Sequence, residues 1–164
     1  MSLELHKEGT MTARVRPIPE GYHAVTPYLC IKGAAGAIEF YTRAFGTREV
    51  MRVEAPGGKI GHAEIAIGDS RIMLTDEYPD MNFRSPQSIG GSPVHLHLYV
   101  ENVDSTVNQA VGAGAKVLKP VADQFYGDRS GSLEDPFGHV WHVATRIEDL
   151  SAQGIEKRAA AQQR

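Results

Sequence analysis

Apolar residues recur in the same order in two stretches of the chain that lie 69 positions apart. In each stretch, the alternation typical of a strand is followed by helical spacing and then by further alternation. The spacing is one residue shorter at the helix end, where Gly114 corresponds to Gly46. Such a repeat predicts two copies of one supersecondary unit, with a functional site in the groove between them. The matched positions are Val25, Leu29, Ile31, Ile38, Ile72 and Leu74 in the first copy and Val94, Leu98, Val100, Val107, Trp141 and Val143 in the second.

The pattern of the first copy predicts one helix and four strands. Residues 24–31 are rich in β-formers, and their alternation predicts a strand with Thr26, Tyr28 and Cys30 on one face. Apolar residues at helical spacing predict a helix over 33–45, which ends at a glycine. Turn residues separate three further strands, which we expect at 49–54, 60–67 and 71–76.

The second copy repeats this order of elements. Its helix has Asn102 or Asp104 as a candidate N-cap, and Gly114 ends it. Asp135-Pro136-Phe137-Gly138 has the residue order of a type I turn before the closing strand. The predicted elements are a strand at 94–100, a helix at 103–113, a short strand at 116–118, a loop at 123–129, and strands at 130–134 and 140–145.

These elements predict an α+β fold in which two tandem βαβββ modules form an incomplete eight-stranded barrel. One helix can cover one face of each sheet, so the helices are expected outside and a concave face inside. Ligand sites favour such concave, partly apolar hollows. The predicted segments are a flexible N-terminal arm at 1–22, the first module at 23–80, a linker at 81–93, the second module at 94–147 and a helical tail at 148–164.

Composition narrows the class of protein further. The chain has 164 residues, 41% of them hydrophobic, and a formal net charge of −3, which argues against nucleic acid as a partner. No apolar run approaches the length that spans a bilayer, and the first residues carry charges where a signal peptide needs an apolar core. Cys30 is the single cysteine, so no intrachain disulfide can form. We therefore expect a cytoplasmic protein that does not bind membranes, with Cys30 in a packing role.

Three segments carry a family resemblance. They are AIEFYTRAFG at 37–46, GGSPVHLHLYVENVD at 90–104 and GDRSGSLEDPFGHVWHVAT at 127–145. Together they resemble the vicinal-oxygen-chelate superfamily, which includes glyoxalase I, bleomycin-resistance proteins and extradiol dioxygenases. The resemblance covers residues 23–147 and implies the paired-module fold and a homodimer. Asp-Pro-x-Gly before a closing strand marks the fold and does not mark one reaction.

The resemblance also implies where a divalent metal, such as zinc, iron, nickel or manganese, would bind. The repeat spacing of 69 relates Thr26 to His95 and Met73 to His142. Threonine and methionine are poor ligands for such ions, so only the second copy offers strong ligands. A third ligand could come from His97, from His62 or Glu64, or from a carboxylate of a second chain. The four implied positions are Thr26, Met73, His95 and His142.

Other side chains are candidates for a ligand pocket. Glu64 is either a general base in an apolar cup or a surface carboxylate. Arg129 either forms a structural ion pair or binds a carboxylate or phosphate of a ligand. We expect the pocket to contain aromatic walls and polar residues from both copies, namely Thr26, Tyr28, Met73, His97, Tyr99, Phe125, Tyr126 and Arg129.

Two functions are consistent with these residues. The first is a small-molecule-binding protein of the glyoxalase and bleomycin-resistance type that works without a tightly held catalytic metal. The alternative is a metal-dependent lyase, isomerase or dioxygenase in which His95 and His142 hold the ion and an enolate-like intermediate forms. Glyoxalase I itself is disfavoured, because Thr26 and Met73 occupy two of its four ligand positions.

Overall fold

The structure is a computed structural model that describes residues 14–163, so residues 1–13 of the predicted arm lie outside the described residues, as does residue 164. The first module is a four-stranded sheet with strand order β1-β4-β3-β2 and one helix. Its elements are β1 (Tyr28–Ile31), α1 (Ala34–Phe45), β2 (Arg48–Ala55), a 3₁₀ turn (Pro56–Gly58), β3 (Lys59–Ile67) and β4 (Ser70–Asp76).

The second module has the equivalent strand order β5-β8-β7-β6. The connection before it contains a 3₁₀ turn (Pro79–Met81) and the one-turn helix α2 (Pro86–Ile89). Among the described residues, no helix is long and apolar enough to cross a bilayer. The elements of the second half are β5 (Leu96–Tyr99), α3 (Val103–Ala113), β6 (Lys116–Asp123), β7 (Asp128–Glu134), β8 (Val140–Arg146) and the C-terminal helix α4 (Ala152–Gln162).

The strand register confirms the tandem repeat. β1 pairs with β4 in parallel, with Leu29 opposite Leu74. β5 pairs with β8 in parallel, with Leu98 opposite Val143, which are the positions 69 residues further on. In both sheets the remaining pairings are antiparallel. The predicted α+β fold of two βαβββ modules is therefore confirmed.

Each helix is bound at its start by the last strand of its own module. The Asp76 carboxylate accepts hydrogen bonds from the backbone N–H groups of Gly33 and Ala34, both at 3.0 Å. At the equivalent place in the second module, the Thr145 hydroxyl oxygen accepts from the N–H of Val103 at 2.9 Å. These bonds satisfy N–H groups that a helix start leaves without partners, and they fix each helix against its sheet.

One hydrophobic core serves both modules. α1 and α3 pack against each other and against the sheets. Buried strand residues such as Leu29 and Val143 alternate with residues that stay partly exposed on the opposite sheet face. Aromatic rings cross the junction, since the ring centroid of Trp141 lies 5.4 Å from that of Tyr41 and 4.7 Å from that of Phe45.

The buried Asp135 carboxylate connects the two modules within this core. One of its oxygens accepts from the backbone N–H groups of Phe137 and His139, at 2.9 and 3.0 Å. Its other oxygen accepts from the hydroxyl of Tyr41 on α1 at 2.5 Å and from the indole N–H of Trp141 at 3.0 Å. Because a buried carboxylate needs partners for its lone pairs, these four bonds join the turn, β8 and α1.

Two strands begin later than the sequence predicts. β1 starts at Tyr28 and not at residue 24, because Pro27 has no N–H with which to continue the ladder toward β4. Only the carbonyl of Pro27 takes part, accepting from the N–H of Met73 at 2.9 Å. β5 starts at Leu96 and not at residue 94, since the N–H of Val94 is bonded locally to the Ser92 hydroxyl at 3.3 Å.

The prediction of a short strand at 116–118 is wrong in length. β6 runs on to Asp123, and its pairing with β7 shifts between Lys119 and Ala122. Pro120 lies inside this shift, and proline is tolerated on an edge strand because its missing N–H faces away from the ladder. The predicted loop at 123–129 shortens accordingly, since β7 already begins at Asp128.

A carboxylate anchors the long connection between the modules. Glu77 accepts hydrogen bonds from the N–H of Ser85 at 2.8 Å and from the hydroxyls of Ser85 and Ser88. These donors favour the ionised form and lower the pKa of Glu77 to about 2. The connection is thereby held beside the first module at neutral pH.

We predict that Asp135→Asn destabilises the fold. Whichever way the amide turns, its NH₂ group faces donors that Asp135 now satisfies, so at least one buried N–H loses its acceptor. The expected loss in the free energy of unfolding is about 2–4 kcal/mol, measured by urea denaturation. The control is Asp80→Asn at an exposed site, which should change stability by less than about 0.5 kcal/mol. Equal unfolding midpoints for the two variants would contradict the role given to Asp135.

Candidate functional site

Three histidines lie together on the face of the second sheet that points away from the core. His97 on β5 is paired in register with His142 on β8, and His95 directly precedes β5. The Nδ1 atom of His95 lies 2.9 Å from Nε2 of His142. The ring of His97 stacks on that of His142, with centroids 6.3 Å apart. The strand alternation thus brings all three imidazoles to one surface.

Both ring nitrogens of His142 have protein partners. Its Nδ1 lies 2.8 Å from the hydroxyl oxygen of Ser132 on β7, and its Nε2 is the atom bonded to His95. Burial lowers the pKa of His142, and the neighbouring imidazoles of His95 and His97 lower it further. His142 is therefore held in its neutral form at pH 7, with the Ser132 hydroxyl and the His95 ring as hydrogen-bond partners of its two nitrogens.

The candidate metal ligands are spread over both modules in the described part of the chain. Nδ1 of His95 and Nε2 of His142 are bonded to each other, so in this arrangement neither of these two nitrogens faces an ion. Among residues 14–163, no three His, Cys, Asp or Glu side chains are grouped so that they could hold one. Thr26 and Met73, at the equivalent positions of the first module, offer an alcohol and a thioether, which suit a divalent ion poorly.

A second polar cluster lies on the equivalent face of the first sheet. His62 on β3 bridges two groups: its Nδ1 is 3.0 Å from the Tyr28 hydroxyl and its Nε2 is 3.1 Å from a Glu64 oxygen. The hydroxyl of Tyr22 donates to the other oxygen of Glu64. This bond lowers the pKa of Glu64, so that its carboxylate stays ionised and acts as an acceptor. Met73 lies beside this cluster, opposite Tyr28 and Glu64 in the strand register.

A cavity of about 390 Å³ lies between the segment that precedes β1, the turn between β3 and β4, and the edge strand β5. Its lining joins Thr26 and Arg71 from the first module to His97, Tyr99 and Trp141 from the second. The structure thus brings three predicted pocket residues, Thr26, His97 and Tyr99, to one hollow. No hydrogen bond or ring contact among the described residues connects the histidine cluster to the first-module cluster.

Tyr99 extends the polar face of the second sheet. It is 60% exposed, its ring lies 4.7 Å from that of His97, and its hydroxyl donates to the Asp128 carboxylate at 2.9 Å. This bond and burial together raise the pKa of Tyr99. Asp128 is buried, so the bond gives its charge a partner.

The remaining predicted pocket residues surround the short turn between β6 and β7. The rings of Phe125 and Tyr126 meet edge to face at 5.2 Å, and the Tyr126 hydroxyl lies 3.3 Å from that of Ser130. Arg129 points elsewhere and forms ion pairs with Asp104 and Asp123 at 2.8 and 2.9 Å. Its guanidinium is thus engaged by two carboxylates of the chain itself.

Cys30 is a half-buried, unreactive thiol. Burial raises its pKa to about 11, with the Glu77 and Asp76 carboxylates adding to the shift. A thiol with so high a pKa contains little thiolate at neutral pH. The carbonyl of the same residue lies 3.2 Å from Nε2 of His139, a contact that ties the free edge of β1 to the second module.

Sequence reasoning missed Tyr22 and Ser132. Tyr22 lies outside the repeat, at the end of the predicted N-terminal arm. Its hydroxyl meets Glu64 only in the folded chain. Ser132 had a readable signal, because it alternates with Leu133 on β7 and is paired in register with His142.

Comparison with known proteins agrees with this architecture. The family model of the Glyoxalase/Bleomycin resistance protein/Dioxygenase superfamily matches residues 22–143. An uncharacterised protein of Mycobacterium tuberculosis strain H37Rv is 38% identical over 156 residues, covering 93% of this chain and 88% of the relative. The chain therefore belongs to the Glyoxalase/Bleomycin resistance protein/Dioxygenase superfamily.

Solved structures support the same fold. A gene product of Arabidopsis thaliana is 25% identical, with a TM-score of 0.62, and the match covers 75% of this chain and 98% of that one. A glyoxalase/bleomycin resistance protein/dioxygenase family enzyme from Burkholderia phytofirmans is 20% identical, with a TM-score of 0.58, covering 73% and 95%. The second likeness concerns the fold alone.

Proposed function

We propose that the protein binds a small molecule in the cup between its two modules, without a tightly held catalytic metal. The cavity of about 390 Å³ carries this proposal, because Thr26 of the first module and His97 and Tyr99 of the second line it together. Its lining combines apolar side chains with a few polar groups, as is typical of ligand sites.

The bonding of the histidines supports the metal-free part of the proposal. His95 and His142 satisfy each other, and Ser132 completes the environment of His142. Among the described residues the ring of His97 has no hydrogen-bond partner, and since it lines the cavity it can bond a ligand without an ion. Two imidazoles alone would hold a divalent metal weakly, since catalytic zinc commonly has three protein ligands.

The proposal includes a homodimer. In one chain the polar faces of both sheets are uncovered, with Tyr28 45% and Tyr99 60% exposed. The outer strands β2 and β6 also present free edges with exposed apolar residues such as Val53 and Leu118. A second copy that covers these faces would close the cup and protect the edges.

A cytoplasmic location is also proposed. The chain has one cysteine and cannot form an internal disulfide, as is common for proteins in reducing compartments. The raised pKa of the half-buried Cys30 thiol suits a residue that packs and does not react.

Ligand binding should be visible as thermal stabilisation. A screen of thiol adducts, catechols and peptide antibiotics is expected to yield a compound that raises the melting temperature. At a ligand concentration of about 100 times Kd, the stabilisation is about 2.7 kcal/mol, or roughly 5–10 °C for a domain of this size. The variant His97→Ala should lose the shift, whereas Lys116→Ala, at an exposed site away from the cavity, should keep it. Equal shifts in both variants would place the binding elsewhere.

The mass in solution tests the homodimer. Light scattering is expected to give twice the chain mass of 17.9 kDa at micromolar concentration. A mass equal to one chain over the whole accessible concentration range would refute the dimer.

A second candidate function is favoured by one observation, the approach of His95 to His142 at 2.9 Å on a surface that also carries His97. A small rotation of these rings could present two or three nitrogens to an ion, with a further ligand from a partner chain. The protein would then be a metal-dependent lyase, isomerase or dioxygenase, in which the ion polarises substrate oxygens.

Metal analysis of protein purified without a histidine tag decides between the two candidates. The first function predicts no stoichiometric zinc, iron, nickel or manganese. The second predicts about one ion per site and its loss in His142→Ala, since removal of a ligand weakens binding strongly. Ser130→Ala, on the same sheet face but bonded to Tyr126, is the matched control and should retain whatever metal the wild type holds.

A further inference from the structure

The first-module cluster is a continuous chain of hydrogen bonds with one exposed end. Tyr28 lies on β1 and reaches across β4 to His62 on β3, where its hydroxyl is 3.0 Å from Nδ1 and the ring centroids are 5.5 Å apart. From Nε2 of His62 the chain continues to Glu64 at 3.1 Å. The side chain of Glu64 is only 14% exposed, whereas Tyr28 is 45% exposed.

With His62 as a neutral imidazole, the direction of each hydrogen bond in this chain follows from its inner end. Glu64 is an ionised acceptor, because the Tyr22 hydroxyl donates to one oxygen and lowers its pKa. Its other oxygen therefore requires a proton on Nε2 of His62. A neutral imidazole that donates from Nε2 accepts at Nδ1, so the Tyr28 hydroxyl donates to His62 and keeps its own lone pairs toward solvent.

We propose that Tyr28, His62 and Glu64 form a proton relay that removes a proton from the hydroxyl group of a bound small molecule. The substrate O–H bond breaks and its proton goes to the Tyr28 oxygen, while the Tyr28 proton passes to Nδ1 of His62. The electron pair of the broken bond stays on the substrate oxygen. The resulting imidazolium lies beside the Glu64 carboxylate, and the reverse transfer restores the starting state. Tyr28 is the catalytic residue, and His62 and Glu64 are positioning residues.

In this concerted transfer Tyr28 does not have to form a phenolate, as a free tyrosine acting as a base would. Burial raises the pKa of Tyr28, so a lone phenolate would form rarely at pH 7. In the relay the phenol gives up one proton as it gains another, and no phenolate accumulates. Arrangements in which a hydroxyl, an imidazole and a carboxylate act in series generate reactive oxygens in this way. Tyr28 lines a neighbouring cavity of about 270 Å³ that also contains Leu96 and His139 of the second module, and the substrate would reach the relay there. The proposal rests on the proposed function only for the small molecule that is bound.

The relay predicts an unusually nucleophilic hydroxyl at Tyr28, which p-nitrophenyl acetate can probe. The Tyr28 oxygen attacks the acetyl carbon, its proton moves to His62, and p-nitrophenolate leaves. Peptide mass spectrometry then gives the acetylation rate of each tyrosine. Tyr99 is the internal reference, because it is more exposed and donates to a carboxylate, which is a weaker base than an imidazole. We expect Tyr28 to react roughly 10- to 100-fold faster than Tyr99, as general-base assistance allows.

Two variants separate the relay from a structural role. His62→Gln can accept the Tyr28 hydrogen bond but cannot take up its proton, and Glu64→Gln removes the charge that holds His62. We expect the wild-type reaction to be slower in D₂O. Both variants should abolish this slowing and bring Tyr28 to the rate of Tyr99. Wild-type rates in a variant with an unchanged melting curve would overturn the relay.

A measurement on the wild type keeps the proposal testable if the variants do not fold. Nitrogen NMR of histidine-labelled protein is expected to show His62 protonated at Nε2 and bare at Nδ1. A proton on Nδ1 would overturn the relay. The bonds of the relay lie within one chain and the acetyl probe is a general reagent, so a missing dimer or a failed ligand screen leaves these results unaffected.

Discussion

The bonds of one buried carboxylate determine how the two halves of this protein meet. One oxygen of Asp135 accepts from two backbone N–H groups of its own turn. The other oxygen accepts from Trp141 of β8 and Tyr41 of α1. Because Tyr41 belongs to the first half, its helix must lie against the second half, and the apolar faces of both sheets are committed to one core. The opposite face of each sheet is left free for chemistry.

These free faces carry different chemistry at equivalent positions. The first has a phenol, an imidazole and a carboxylate in series, and the second has three clustered imidazoles beside a serine. Within one chain the two clusters are separate, and the cavity that contains His97 and Tyr99 also draws residues from the first module. A cup that used both clusters would combine the acid–base groups of the first sheet with the imidazoles of the second.

The sequence could predict the architecture because hydrophobic spacing is a local property that the repeat supplied twice. Leu29 and Leu98 indicated the core face of their strands. The family resemblance implied that His95 and His142 share a surface, and the repeat spacing agreed with it. Hydrogen-bond partners depend on side-chain directions in three dimensions, so Tyr22 and Ser132 were not predicted. Strand ends were predicted less well, because Pro27 and Pro120 act through pairing geometry that a sequence pattern does not specify.

The two parallel strand pairs keep one register in both modules, and this has a consequence for how the chain can change. Tyr28 opposite Met73 corresponds to His97 opposite His142 without any offset. A side chain copied from one half to its counterpart would arrive on the same sheet face, opposite His142 where the original lay opposite Met73. The two sheets therefore offer two equivalent faces. Substitutions can change the reactive side chains on one face while the side chains on the other face stay as they are.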